Sequence, residues 1–164
     1  MSVLALKEYM RSTIAAAQAA IIANTTFTSV TVFRQVPKFE KLGTGFFVVL
    51  GPFDREEERL SVPRGGGQKR LTYEMQVWVM ATAADEQAGG DSFDTASENL
   101  SQVLRTANVV IDIVDPVTGG TSWLLEIAEV ISERGDEPEL AAPQGLVRFF
   151  TEKRVKAIEV LNNT

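Results

Sequence analysis

The chain has 164 residues, 45% of them apolar and 23% charged, which describes one globular domain and excludes a disordered, collagenous or coiled-coil chain. It contains no cysteine and no histidine, so disulfides, thiolate metal sites, Cys nucleophiles and Ser-His-Asp catalysis are ruled out. Sixteen basic residues against 22 acidic ones leave a net charge of −6, a field that repels nucleic acid.

Val3 to Ala23 is predicted to form one helix, because Val3, Leu6, Met10, Ile14, Ala17 and Ile21 recur at spacings of three and four. Ser2 is placed to cap it and Asn24-Thr25-Thr26 to stop it. Its Ala15–Ala20 flank has little bulk and permits close approach of a sheet or another subunit. Lys7, Glu8 and Arg11 interrupt the apolar residues too early for a secretory core, so a soluble chain without a leader is expected.

Thr28–Val36 is rich in β-branched residues and reads as a strand ended by Pro37, and Gly45–Leu50 reads as a strand covered on both faces. A polar stretch, Asp54–Arg70, follows. Its Gly65-Gly66-Gly67 core does not hold regular structure cheaply, and Leu71–Ala81 then alternates with period two. The pair reads as a hairpin with a long arm over Asp54–Arg70, expected to be poorly ordered in the free protein and ordered against a partner. A loop over Ala83–Gly90 leads to a helix capped by Asp91 or Ser92, with Phe93, Ala96, Leu100, Val103, Leu104 and Ala107 on its buried stripe. Val109–Val114 and Ser122–Ser132 are strands around an Asp115–Gly120 turn; the second carries Trp123, Leu125, Ile127 and Ile131 on one side. An acidic loop, Gly135–Gln144, precedes a last strand from Leu146 to about Val155. Residues 156–164 fit a helical turn as well as a strand. The expected fold is α+β: a mixed or antiparallel sheet of about five or six strands, two helices on one face, and a second face open to solvent or a subunit.

The Gly-rich Lys69-Arg70 segment lacks the glycine spacing of a phosphate loop and leads into a strand, so a nucleotide site is not expected. Arg55, Arg59, Arg64, Lys69 and Arg70, with Gly65, Gly66 and Gly67, instead make a candidate partner-binding arm that orders itself on a neighbour. Glu56-Glu57-Glu58 reads as a solvated run. Two acidic surfaces stand out: Asp91, Asp94 and Glu98 on the helix, and Glu133, Asp136, Glu137 and Glu139 in the loop region. No catalytic, cofactor-binding or metal-binding constellation is visible.

The order of elements, with Phe46-Phe47-Val48-Val49-Leu50, the long polar arm, Thr72 to Val79, the helix at Asp91-Ser92-Phe93-Asp94 and the closing strand at Leu146–Lys153, resembles that of the tail terminator (tail-completion) proteins of long-tailed bacteriophages. The resemblance implies a virion protein, not an enzyme and without a cofactor, that forms a homohexameric ring on the tail tube. Such a ring ends tube elongation, joins the head–tail connector and lets DNA pass through without specific binding. It implies a place at the head-proximal end of the tail, assembly in the host cytoplasm and no membrane partner. The arm would order against an adjacent ring and contact the tube protein, and the two acidic surfaces are candidates for the lumen. Another ring of the same virion (tube or connector), a carboxylate-based enzyme and a small binding module are the competing readings.

Overall fold

The computed structural model describes residues 3–60, 67–106, 111–114, 121–134 and 145–163. Helices α1 (Val3–Ala16) and α2 (Gln18–Ile21) precede strand β1 (Val30–Phe33), and a short 3-10 turn at Phe39–Lys41 leads to β2 (Gly45–Arg59). Strand β3 (Gly67–Ala83), helix α3 (Glu86–Thr106), β4 (Ile111–Val114), β5 (Thr121–Arg134) and β6 (Val147–Asn163) complete the chain. The strands form one sheet in the order β1-β2-β3-β6-β5-β4. Only β1 and β2 run parallel; the other neighbours are antiparallel, so the sheet is mixed and the class is α+β.

The period-two pattern decides which side of the sheet is buried. Leu71, Tyr73, Met75, Val77 and Val79 of β3 join Phe46, Val48 and Leu50 of β2 and Val155 and Ala157 of β6 on one face. The helical stripes Leu6-Met10-Ile14-Ile21 and Phe93-Ala96-Leu100-Leu104 close on that face in a single cluster. Helix α1 touches both edge strands, β1 and β4, so the twisted sheet curls around the helices.

Four local expectations are corrected. The first helix breaks at Ala17 (φ −94°, ψ 10°), and its last turn becomes α2. There the Asn99 side chain of α3 donates to the carbonyls of Ile21 (3.0 Å) and Ala23 (3.3 Å), so that turn is docked on α3. Asn24 (φ 61°) supplies the left-handed stop.

Helix α3 begins at Glu86, before the predicted caps. Asp85 accepts the Ala88 amide at 2.7 Å and caps it. Ser92 acts elsewhere. Its Oγ meets the amide and hydroxyl of Thr26 at 3.0 and 3.1 Å, tying α3 to the α2–β1 connection. Of the two glycines inside the helix, Gly89 has a steric reason to be there. A Cβ on Gly89 would lie 2.6 Å from Ala83 Cβ and 3.2 Å from Phe149.

The second face of the sheet is not open along its whole length. The β1–β2 connection crosses it, and Phe47, Val49 and Met80 are buried there. The Phe39 ring lies 6.4 Å from Trp78, and Arg148 Nη2 donates to the Phe39 carbonyl at 3.0 Å. A parallel β1–β2 pair needs such a crossover, because both strands start from the same end.

The polar stretch and the tail are strands. Strand β2 continues through a register shift between Leu50 and Phe53 to Arg59. Gly51 suits that irregularity, since a Cβ there would stand a tight 3.0 Å from the Gln76 carbonyl oxygen. Strand β6 pairs with β3 from Val147 opposite Ala83 to Asn163 opposite Gly67. The ambiguous residues up to 163 are therefore the third strand of the arm. The Asp115–Gly120 turn, residues 107–110 and Ser2 lie outside the described residues, as do the side chains of β5, including Trp123, Leu125, Ile127 and Ile131.

Candidate assembly interface

The arm is a three-stranded ribbon in which Lys69 and Arg70 pair with glutamates of the neighbouring strand. Residues 54–59 and 67–70 carry four carboxylates and four cations. Lys69 Nζ meets Glu57 at 2.5 Å on one face, and Arg70 meets Glu58 at 3.6 Å on the other. The hydrogen bond from Lys69 holds the Glu57 carboxyl below its ordinary range, with the Lys69 and Arg55 charges adding to the effect. The expectation of a poorly ordered arm is corrected for residues 54–59 and 67–70, which are strand, and the positive charge expected of Lys69 and Arg70 is matched within the ribbon. Cross-strand neighbours neutralise Lys69 and Arg70, and ladder bonds to β6 order the backbone. Arg55 and Arg59 stand exposed on β2, opposite Tyr73 and Lys69, and Gly67 opens β3. Arg64, Gly65 and Gly66 lie outside the described residues.

At the root of the arm lies a buried polar cluster that sequence reading missed. The Tyr73 hydroxyl donates to Glu159 Oε2 at 3.0 Å, and both residues are almost fully buried. Burial, then the adjacent Glu159 carboxylate, pushes the Tyr73 phenol well above its ordinary range, while Arg55 acts in the opposite sense. Lys153 also lies fully buried on the helix-covered side of β6. The signal was present: residues 149, 151, 153, 155, 157 and 159 share one parity, and that parity carries a lysine and a glutamate beside Phe149, Thr151, Val155 and Ala157.

The acidic helix face is real as a surface. Asp91, Asp94 and Glu98 are all exposed along α3, and Glu98 meets Arg105 at 3.4 Å. Of the second acidic surface, Glu133 is paired opposite Lys153 in the β5–β6 register, and Asp136, Glu137 and Glu139 lie outside the described residues. Among the described residues no group of three or more acidic side chains is placed to hold a metal ion, and no helix is long and apolar enough to cross a membrane.

No family model and no curated protein matches the chain. Its fold is similar to that of one chain in the virion of a native gene transfer agent particle. The similarity extends over 97% of this chain and 99% of that one, with a TM-score of 0.55 and 18% sequence identity.

Proposed function

We propose that this chain is a structural protein of a phage-like virion, and within it the ring that caps the tail tube, stops tube elongation and meets the head–tail connector. The observation that carries this reading is the end-to-end similarity in fold to a virion chain. The arm supports it. A ribbon of β2, β3 and β6 reaches beyond the helix-covered core and presents Leu60 (39% exposed) at its far end. An arm of this kind gives a ring a means of gripping the ring below it.

In this reading six copies close the ring, the arm contacts the tube protein, and DNA passes through without being held. A net charge of −6 per chain opposes phosphate contacts in the bore. Fully buried Lys153 is withdrawn from any such surface. No chemistry is assigned to the chain.

Electron microscopy and mass measurement of the purified protein, alone and with isolated tail tubes, test the proposal. Single rings, or rings seated at one end of each tube, are expected. Long tubes formed by this chain alone would instead make it a tube protein. A chain that neither forms rings nor binds tubes would overturn the reading.

A further inference from the structure

The molecule is electrically polarised. In residues 1–44 the cations Lys7, Arg11, Arg34, Lys38 and Lys41 outnumber two carboxylates, Glu8 and Glu40. This local excess sits on a chain of net charge −6. The N-terminal half of α1 and the end of β1 enclose an open groove of about 670 Å³, lined by Leu4, Lys7, Phe33, Arg34 and Gln35. Leu4 is 36% exposed there, although it is a large apolar side chain. Lys7 Nζ donates to the Arg34 carbonyl at 3.0 Å, and partial burial lowers its pKa. Glu8 is shared between Arg11, at 2.9 Å, and Arg34. Two arginines thus share one carboxylate, with Lys7 held against the Arg34 carbonyl, beside an apolar floor at the edge of the sheet.

Helix α3 has the opposite character. Residues 84–106 hold five carboxylates and one cation, Arg105. Asp91, Asp94 and Glu98 are spaced by three and four, so they form one exposed row along a 21-residue helix. An extended, cationic surface would be complementary to this row. Among the described residues no ion pair joins it to the groove: Arg105 meets Glu98 within the helix, and the groove arginines meet Glu8.

We propose that the α1–β1 groove of one copy receives the acidic row of α3 from a second copy, in a head-to-tail contact. The two surfaces differ, so the contact is heterologous and propagates around a ring. The proposal rests on the ring reading and assigns the Asp91-Asp94-Glu98 row to the subunit interface, away from the bore. Complementary charge sets the register, and Leu4 and Phe33 supply the apolar area.

The test uses the full chain and two charge-reversed variants, Asp94→Lys with Glu98→Lys and Lys7→Glu with Arg34→Glu. Sedimentation at about 0.05 M and about 0.5 M salt should show wild-type association weakening as screening rises. Each variant alone should associate roughly tenfold or more weakly. An equimolar mixture should recover association, because reversed rows then meet reversed grooves in alternation. Thermal melts establish that each variant is folded; should Lys7→Glu with Arg34→Glu fail to fold, Lys7→Gln with Arg34→Gln replaces it, should show a smaller loss in the same direction, and is read alone without the mixture. Folded variants that keep the wild-type mass, or a mixture that fails to recover, would overturn the groove contact. If those variants still form rings on tubes, the ring reading survives and only the groove fails; a wild-type chain forming no ring anywhere overturns both.

Discussion

Tyr73 and Glu159 form a buried side-chain hydrogen bond between strands β3 and β6. The carboxylate sits at the root of the arm, essentially out of solvent, and the Tyr73 hydroxyl donates to it at 3.0 Å. Tyr73→Phe keeps the ring and removes that donor, so a loss of about 1–3 kcal/mol is expected in chemical denaturation. Alkaline pH should act on the same residue. The folded state holds the phenol protonated above its ordinary pKa of 10.0, whereas the unfolded chain releases the proton there. Above about pH 10 the unfolded state therefore binds fewer protons, and stability falls as pH rises. Below that pH the contribution is fully present. Unfolding midpoints from pH 8 to pH 11, compared between wild type and Tyr73→Phe, check this: the wild type should lose stability above about pH 10, and the variant should lose less.

At the scale of elements, neighbouring glycines in α3 have opposite roles. Both would be better helix formers as alanine, by up to about 1 kcal/mol. At Gly90 a Cβ would lie 3.4 Å from Phe149, an ordinary contact, so Gly90→Ala should raise the melting temperature. At Gly89 it would lie 2.6 Å from Ala83 Cβ, where helix and sheet must separate. Gly89→Ala should cost roughly 1–3 kcal/mol and lower the melting temperature. Composition reads both as loop residues, because the reason for Gly89 is a contact with β3 and β6. Strand β6 makes a similar point. Deleting residues 158–164 removes the partner of Gly67–Thr72, leaving β2 and β3 as a two-stranded ribbon, and such ribbons are marginal in water. Hydrogen exchange should show amides of residues 67–72 losing protection while Val77–Ala81 remain protected.

The whole molecule separates into a helix-covered core and an arm, and their tolerance to change should differ. Replacing residues 61–66 by a short turn leaves every core side chain in place, so the melting temperature should change little. Binding to tail tubes, measured by co-sedimentation, should fall. A shortened chain that still caps tubes would remove the arm from the proposed role. The same division limits what charge at the arm can do. Lys69 and Arg70 are matched by Glu57 and Glu58, which leaves the exposed Arg55, Arg59 and Leu60 as the contact residues to test on the described part of the arm.

The sequence by itself determined the local elements and their buried faces. The stripe Leu6-Met10-Ile14-Ile21, the alternation from Leu71 to Val79 and the run Phe46–Leu50 all pack where their periods place them, because periodicity is a property of the backbone. It also determined that the acidic row of α3 would be exposed. Tertiary structure decided the rest. The start of α3 at Glu86 depends on Gly89 fitting against Ala83 and Phe149. The strand character of residues 156–163 depends on β3 lying alongside them, and the covered part of the outer face depends on a crossover held by Arg148. The balanced arm arises because strand register sets glutamates from one segment beside basic residues of another. Each of these outcomes is a relation between residues far apart in the chain, so local propensity carries no information about it.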